Sequence, residues 1–510
     1  MRNAWMLVAA IMVGGMWPGR SAAQPAKKPG ADPIAAINAA IPAIDRMFVD
    51  FQLDAHAPGL VYGVVADGRL IHVKAIGTQD LEHKRPVTAD SLFRIASMTK
   101  SFTALSILKL RDEGKLSLDD LAETHVPELR DWRYPTSDSP RIRVRDLLNH
   151  TAGFVTDDPW GDRQQPMPEA DFTALLRNGV PFAQAPGTAM EYSNLGYALL
   201  GRIVANVSGM PYRTFVEQNL LIPLGMTSSG FEVTASPIER RAIGYRWENN
   251  AWTEEPTMAH GVFGAMGGLQ TSANDYAKYV AWLLSAWPAR DGAESGPLRR
   301  SSVRELAQGS NFVKLRQRSG KTGVNACKQA SAYGMGMIAA ADCELGATLS
   351  HGGGYPGYGS HVMLLLDQGI GIFAFTNRTY TGASGVVWDA AMALHHAGAL
   401  TGRKSPASPA LAAAYSAAAA MYRAGEVGAA SNLLSMNFLM DRSPKNWKAE
   451  LLRLKQEVGD CDTRAPLTAT GALSGKFEWR CATGRIEGSL LLAPTTQPSI
   501  QQLELKVVNP

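Results

Sequence analysis

The sequence predicts an α+β fold in which an antiparallel sheet is flanked by helices and carries an all-helical insertion. Strand-like runs occur near both ends of residues 35–402, and helical patterns fill the middle of this segment. A sheet assembled from both ends of a segment leaves the intervening helices beside it. We therefore expect the functional cleft to lie between the sheet and the insertion.

The first predicted element is a hairpin over 60–76. Apolar residues over 60–66 and 69–76 flank Asp67-Gly68, a dipeptide typical of two-residue hairpin turns. The later elements, in chain order, are helices from Ser97 to about Trp287, strands over 333–341, 360–366 and 371–376, and a helix over 386–400.

A second predicted unit follows residues 403–409, which we interpret as a linker because Pro406 and Pro409 stand among serine and basic residues. Residues 410–510 are predicted to form a small α+β domain. Its elements are helices over 411–422 and 446–458 and strands over 475–481 and 503–508. No catalytic constellation occurs in it, so we expect a stabilising or substrate-gating appendage, with a binding domain as the alternative.

Composition and charge describe a large folded protein. The chain has 510 residues, 45% of them hydrophobic and 19% charged, which is enough to bury a sizeable core in more than one domain. The formal net charge is +4, and it becomes +2 without the two arginines Arg2 and Arg20 of the leader described next. This balance argues against nucleic-acid binding and against a strongly acidic substrate.

The first residues resemble a secretory signal. Basic Arg2 precedes the apolar run Ala4–Val13, and the small residues Ser21-Ala22-Ala23 follow it. We predict a signal peptide over 1–23 with cleavage after Ala23, and a secreted or periplasmic protein without a membrane span. The alternative is an N-terminal membrane anchor, for which the apolar run is short.

Four cysteines agree with an oxidising compartment. Cys327 and Cys343 bracket one short segment, and Cys461 and Cys481 bracket another, so neighbour-to-neighbour bridges are the simplest of three connectivities. Neither Cys-x-x-Cys nor His-Glu-x-x-His occurs, and the sequence predicts neither a metal nor a cofactor.

The most informative motif is Ser97-Met98-Thr99-Lys100 at the start of a helical run. A spacing of three places the hydroxyl and the amine on one helix face, one turn apart. Serine is a weak nucleophile unless a neighbouring base activates it. The pair therefore predicts a nucleophile with its activator beside it.

Two later motifs supply the other groups that such chemistry needs. Tyr192-Ser193-Asn194 offers a phenol and an amide in one short loop before a helical pattern. His351-Gly352-Gly353-Gly354 is expected just before a sheet strand, where glycines let backbone approach a ligand closely.

The order of these three motifs resembles the serine β-lactamase and penicillin-binding protein superfamily, in the branch of class C β-lactamases, D-aminopeptidases and related esterases. The resemblance covers about residues 35–400. It extends to Leu147–Gly153, to Pro186-Gly187 and to Gly264–Leu269.

The resemblance implies a role for each site residue. Ser97 would form an acyl-enzyme, and either Lys100 or Tyr192 would be the base in acylation. Asn194 would orient the substrate and hold Lys100. The backbone N–H groups of Ser97 and Gly354 would form the oxyanion hole, with His351 and Gly353 beside the substrate.

The third motif departs from the β-lactamase pattern. Those enzymes carry Lys-Thr-Gly where this chain carries His351-Gly352-Gly353, so a permanent cation for a substrate carboxylate is replaced by an imidazole. Lys321-Thr322-Gly323 does occur, but it stands among polar residues without a following strand, and we favour the histidine triplet.

These features predict an exported serine hydrolase acting on small esters or on D-amino-acid amides and peptides, with weak β-lactam hydrolysis. The alternatives are a β-lactamase or D-alanyl-D-alanine carboxypeptidase proper, and a non-catalytic binder or sensor of the same fold. We interpret His150 as a structural hydrogen-bonding residue rather than a chemical one, and His260 as a candidate pocket residue. The sequence leaves the oligomeric state open.

Overall fold

The structure, a computed structural model, describes residues 32–317, 327–403 and 405–508. The predicted leader and the Lys321-Thr322-Gly323 triplet lie outside these residues. The helices are α1 Pro33–Asp54, α2 Lys100–Asp112, α3 Ala122–His125, α4 Val144–Leu148, α5 Asp158–Arg163, α6 Glu169–Asn178, α7 Asn194–Ser208, α8 Tyr212–Val216, α9 Gly264–Gly267, α10 Ala273–Leu284, α11 Arg300–Glu305, α12 Ser384–His396, α13 Pro409–Ala424, α14 Phe438–Asp441 and α15 Pro444–Val458.

The strands belong to four sheets. They are β1 Gly59–Ala66, β2 Arg69–Asp80, β3 Arg85–Pro86, β4 Phe93–Arg94, β5 Tyr245–Glu248, β6 Ala251–Glu254, β7 Gln270–Thr271, β8 Asn311–Gln317, β9 Lys328–Tyr333, β10 Ile338–Asp342, β11 Gly346–Tyr355, β12 Tyr358–Leu365, β13 Ile370–Thr376, β14 Thr468–Gly471, β15 Ser474–Cys481, β16 Gly484–Leu492 and β17 Ile500–Val508.

The main sheet is antiparallel and has nine strands in the order β3-β2-β1-β13-β12-β11-β10-β9-β8. Strands from the two ends of the segment meet where β1 pairs with β13, from Leu60 opposite Thr376 to Ala66 opposite Ile370. This confirms the predicted α+β fold with an antiparallel sheet built from both ends.

Both faces of this sheet are buried, which explains the continuous apolar runs in its central strands. On β12, Val362 and Leu364 join the core shared with the central helices. Their neighbours Met363 and Leu365 join a second core under α1 and α12. Alternate residues of one strand thus serve two helical layers.

Several elements differ from the predicted ones. The strand expected over 333–341 is a hairpin: β9 ends at Tyr333, β10 begins at Ile338, and Gly336 has a φ of +71° in the turn between them. Glycine adopts this left-handed conformation without steric cost, whereas the apolar neighbours hid the turn in the sequence pattern. The central part also contains the hairpin β5–β6, and the unpredicted α1 covers one sheet face.

The C-terminal elements have a core of their own. Leu411 and Met421 of α13, Leu451 of α15 and Trp479 of β15 are buried together against the four-stranded sheet β14-β15-β16-β17. Bridges join Cys327 to Cys343 and Cys461 to Cys481, the neighbour-to-neighbour pairing. Within the part of the chain that the structure describes, no helix has the length and apolarity needed to cross a bilayer.

Candidate active site

Ser97 lies in a 3₁₀ turn, Ala96–Thr99, that leads directly into α2. The turn follows the short strand β4, and Lys100 is the first residue of α2. Lys100 Nζ lies 3.0 Å from Ser97 Oγ. Ser97 is 7% exposed and Lys100 is 0% exposed, so the hydroxyl reaches the surface of a cavity while the amine lies beneath it.

The amine of Lys100 is fully coordinated by protein groups. Besides Ser97 Oγ, its Nζ contacts Asn194 Oδ1 at 2.7 Å and the Met266 carbonyl at 3.1 Å. Burial lowers the pKa of Lys100 from 10.5 to about 8, and the neighbouring carboxylates of Asp158, Asp162 and Asp157 oppose that shift. A substantial neutral fraction of this lysine therefore exists near physiological pH.

Tyr192 and Asn194 come from the start of α7. Ser193 caps this helix through its side chain, which accepts from Gly196 N, and the cap fixes the residues on both sides of it. Tyr192 lines the same cavity as Ser97, which opposes the rise of the Tyr192 pKa, and the Tyr192 ring centroid lies 4.8 Å from Lys100 Nζ. Burial raises the pKa of Tyr192 well above 10, so the phenol is neutral.

The triple glycine precedes the strand β12, as the sequence suggested, but it also lies within a strand of its own, β11. A Cβ at Gly353 would stand 2.2 Å from Ser360 Oγ and 2.3 Å from the Ile95 carbonyl. The missing side chain lets β11 approach the chain two residues before Ser97. Glycine weakens most strands, but here the close approach requires it.

One edge of β11 is open beside the nucleophile. The strand pairs with β12 as far as Tyr355, whereas its pairing with β10 ends at Ser350. Gly352 and Gly354 line a cavity of about 470 Å³ on this side. The full lining is Ser97, Asp158, Pro159, Asp162, Met190, Tyr192, Tyr333, Ile338, His351, Gly352, Gly354 and Tyr380.

His351 uses both ring nitrogens within the protein. Nδ1 lies 2.5 Å from the Gly352 carbonyl, which can only accept, so Nδ1 carries the proton. Nε2 then accepts from the Tyr333 hydroxyl at 2.9 Å. Burial, with Lys100 nearby, lowers the pKa of His351 to about 3, and the ring is neutral.

Sequence reasoning missed three aspartates beside this cavity: Asp158 and Asp162 line it, and Asp157 lies behind them under the start of α7. Asp157 accepts from the backbone N–H groups of Asn194 and Leu195, and Asp158 accepts from the Asn194 side chain. Asp162 accepts from the Tyr380 hydroxyl at 3.0 Å, and burial raises its pKa. The only indication of these residues in the sequence was the occurrence of three aspartates within the six residues 157–162.

The structure thus brings Ser97, Lys100, Tyr192, Asn194, His351, Gly353 and Gly354 together at one cleft between the sheet and the helices. His260 does not line this cavity; it packs against Gly264 and the ring of Phe231. Such an arrangement can activate a hydroxyl, hold a carbonyl substrate against a strand edge and exclude bulk water from the amine.

Comparison with known proteins places the chain among relatives of similar architecture. The sequence model of the family described as Beta-lactamase matches residues 44–397. Protein flp of Staphylococcus aureus (strain N315) is 32% identical over 209 residues, which is 41% of this chain and 41% of that protein. Protein Rv1367c of Mycobacterium tuberculosis is 32% identical over 246 residues, covering 42% of this chain and 59% of that protein. The matches span less than two thirds of these curated relatives.

Solved structures show the same fold. The octameric penicillin-binding protein homologue from Pyrococcus abyssi superposes with a TM-score of 0.57 at 20% identity, over 91% of this chain and 99% of that one. D-alanine carboxypeptidase AmpC from Burkholderia cenocepacia gives a TM-score of 0.53 at 21% identity, over 70% of this chain and 98% of that one.

Proposed function

We propose that this chain, which belongs to the beta-lactamase family, is an exported serine hydrolase that works through an acyl-enzyme on Ser97. Its substrates are small esters or D-amino-acid amides and peptides. The observation that carries the proposal is the contact of Lys100 Nζ with Ser97 Oγ at 3.0 Å, because a buried amine beside a hydroxyl is the activation that serine needs. The two disulfides support an oxidising compartment.

The first chemical step forms a bond between Ser97 Oγ and the substrate carbonyl carbon. The hydroxyl proton passes to neutral Lys100, and the carbonyl oxygen becomes an oxyanion held by the N–H groups of Ser97 and Gly354. Collapse of this intermediate breaks the bond to the leaving group, which takes a proton relayed by Lys100 and Tyr192. Water then attacks the acyl carbon and releases the acid, and Ser97 regains its proton.

Lys100 is the stronger candidate for the base. Its pKa lies near 8, whereas burial raises the pKa of Tyr192 well above 10, so a phenolate is scarce at neutral pH. A base must be unprotonated at the working pH to accept the serine proton. We assign Tyr192 the part of a neutral hydrogen-bond partner that passes protons.

The charges around the cavity favour a substrate with an amine over one with a carboxylate. His351 is neutral with both nitrogens occupied, and the Lys100 amine is fully coordinated. Asp158 and Asp162 line the same cavity. A carboxylate would find no free cation among these residues and would face Asp158 and the partly ionised Asp162, whose pKa burial raises to about 7, which disfavours the β-lactamase and carboxypeptidase alternatives.

Covalent trapping tests the proposal. A short-chain aryl ester, D-alanine anilide and a chromogenic cephalosporin are each mixed with the protein, quenched in acid and examined by intact mass and peptide mapping. We expect one acyl group on the peptide that contains Ser97, and faster turnover of the ester and the anilide than of the cephalosporin. Acylation elsewhere, or none, would favour the non-catalytic alternative, and a preference for the cephalosporin would favour a β-lactamase.

Asp162→Asn is expected to move the rise of activity with pH, which follows deprotonation of Lys100, to lower pH. The Asp162 carboxylate raises the pKa of Lys100, so its neutral isostere lets that pKa fall further. Neutral Lys100 then accumulates at lower pH, while the amide oxygen still accepts from Tyr380. The measurement is kcat/KM for an uncharged ester between pH 6 and about 10. Asp171→Asn on the exposed face of α6 is the matched control, and an unmoved rise would contradict an effect of Asp162 on the pKa of the catalytic base.

A further inference from the structure

One residue outside the three motifs holds the Tyr192 loop from both sides. The backbone carbonyl of His150 accepts from Glu191 N at 2.8 Å, and the His150 ring nitrogen Nδ1 accepts from Ser193 N at 3.2 Å. The residues immediately before and after Tyr192 are therefore bonded to the same histidine. This geometry uses a left-handed backbone at His150, with a φ of +61°, which is uncommon for a residue with a side chain.

The His150 ring is also the surface on which Tyr192 packs. The two ring centroids are 4.4 Å apart, and Tyr333 contacts the imidazole edge-on at 4.5 Å. His150 is only 2% exposed, so this packing is enclosed. Ring contacts of this kind fix the plane of a phenol, while the two backbone bonds fix where its Cα stands.

The protonation of His150 argues against direct acid–base chemistry. Nδ1 accepts from an N–H, so the single proton of the neutral ring is on Nε2, which has no hydrogen-bond partner among the described residues. Burial, together with Lys100 and His351, holds the pKa of His150 well below 6.5. The ring stays neutral at neutral pH, with its only basic nitrogen already engaged.

His150 is in turn anchored to the far edge of the main sheet. The side chain of the preceding residue, Asn149, donates from Nδ2 to Ser310 Oγ at 3.1 Å. The backbone carbonyl of Asn149 accepts from Asn311 Nδ2 at 2.9 Å. The edge strand β8, the histidine and the Tyr192 loop therefore form one connected unit.

We propose that His150 is a positioning residue that sets the direction of the Tyr192 phenol toward Ser97, through its bonds to residues 191 and 193 and through its ring. This inference rests on the proposed function, because it assigns His150 a part in that reaction. It predicts that the acceptor and the ring contribute separately, which two substitutions can distinguish.

The test compares His150→Asn with His150→Phe. Asparagine places an amide oxygen near the Nδ1 position and tolerates the left-handed backbone, whereas phenylalanine keeps a ring and removes the acceptor. We expect His150→Phe to lower kcat about tenfold or more with little change in KM, because small misplacements of reacting groups are costly. His150→Asn should recover part of that loss, and the rise of activity with pH should stay in place in both variants.

A matched control variant and a crystal structure test the role of His150 separately from the proposed hydrolase activity. His56 also has a left-handed backbone, φ +46°, and stacks on Trp247 at 4.6 Å, so His56→Phe reproduces the backbone strain and should retain activity. A crystal structure of His150→Phe should show the Tyr192 hydroxyl displaced from Ser97, with the Ser97–Lys100 contact intact.

An unchanged kcat, or Tyr192 in its original place in that crystal, would overturn the positioning role. If the rise of activity with pH were lost in both variants, His150 would instead be an acid–base group, and the positioning role would also be overturned. A wild-type protein with no Ser97-dependent turnover would count against the proposed function alone, since the position of Tyr192 in the crystal still decides the role of His150.

Discussion

The Ser97→Ala variant is expected to lose at least about 10³-fold in turnover of every substrate that the wild-type protein hydrolyses. The Ser97 hydroxyl contacts the Lys100 amine, whereas the Ser97 carbonyl accepts from the Lys100 backbone N–H, so alanine removes the nucleophile and leaves the backbone of the turn in place. The measurement is kcat/KM for the aryl ester and D-alanine anilide, with the acylated peptide followed by mass.

The control for this variant is Ser106→Ala on the same helix. Ser106 is buried like Ser97, but its hydroxyl only bonds the Phe102 carbonyl one turn earlier. We expect turnover within about twofold of wild type, because such bonds contribute little to helix stability. Equal turnover in Ser97→Ala and wild type would remove this cleft as the site of hydrolysis.

Lys100→Met is expected to lower kcat about 10²- to 10⁴-fold, the range that a general base contributes. Methionine fills the space of the lysine stem without an amine, so Ser97 loses its activator while the cavity wall is retained. The rise of activity with pH through the Lys100 pKa should disappear together with the activity. Lys109→Met, on the same helix but paired with Glu113 near the surface, should leave both unchanged.

The same variant gives a stability measurement that does not depend on turnover. The pKa of Lys100 is lower in the folded protein, about 8, than in the unfolded chain, about 10.5. Between these values the unfolded state binds more protons, so the free energy of unfolding rises with pH by roughly 3 kcal/mol in this window. Lys100→Met should lack this rise in urea titrations at pH 8 and about 10.5. A variant that kept the full rise would show that Lys100 is not the group responsible.

The Ser97–Lys100 contact follows from the sequence because a spacing of three fixes neighbours on one helical turn whatever surrounds it. The sheet was predictable for a similar reason: apolar runs such as 360–366 need burial on both faces. The order of the motifs allowed Tyr192 and Asn194 to be predicted as site residues. Local sequence patterns do not, however, predict how the start of α7 packs against α2.

Other parts of the site could not be predicted because they depend on contacts between distant segments. Tyr333 reaches His351 only because β9 and β10 turn back on each other, and the sequence suggested one continuous strand there. Asp162 lies in the short helix α5 and accepts a hydrogen bond from Tyr380, a residue far along the chain, so its place at the cavity depends on a long-range contact. Burial and pKa are properties of that assembled environment, so the residue type alone does not reveal them.

Gly353 carries a consequence for how this molecule can change over time. Two segments more than two hundred and fifty residues apart in sequence lie against each other at Gly353 and the Ile95 carbonyl. They can approach this closely only because glycine has no Cβ. Any other residue there must push the strand away from the turn that bears Ser97. Substitutions of Gly353 during evolution are therefore excluded for steric reasons, even though the glycine side chain, a single hydrogen, takes no part in the reaction.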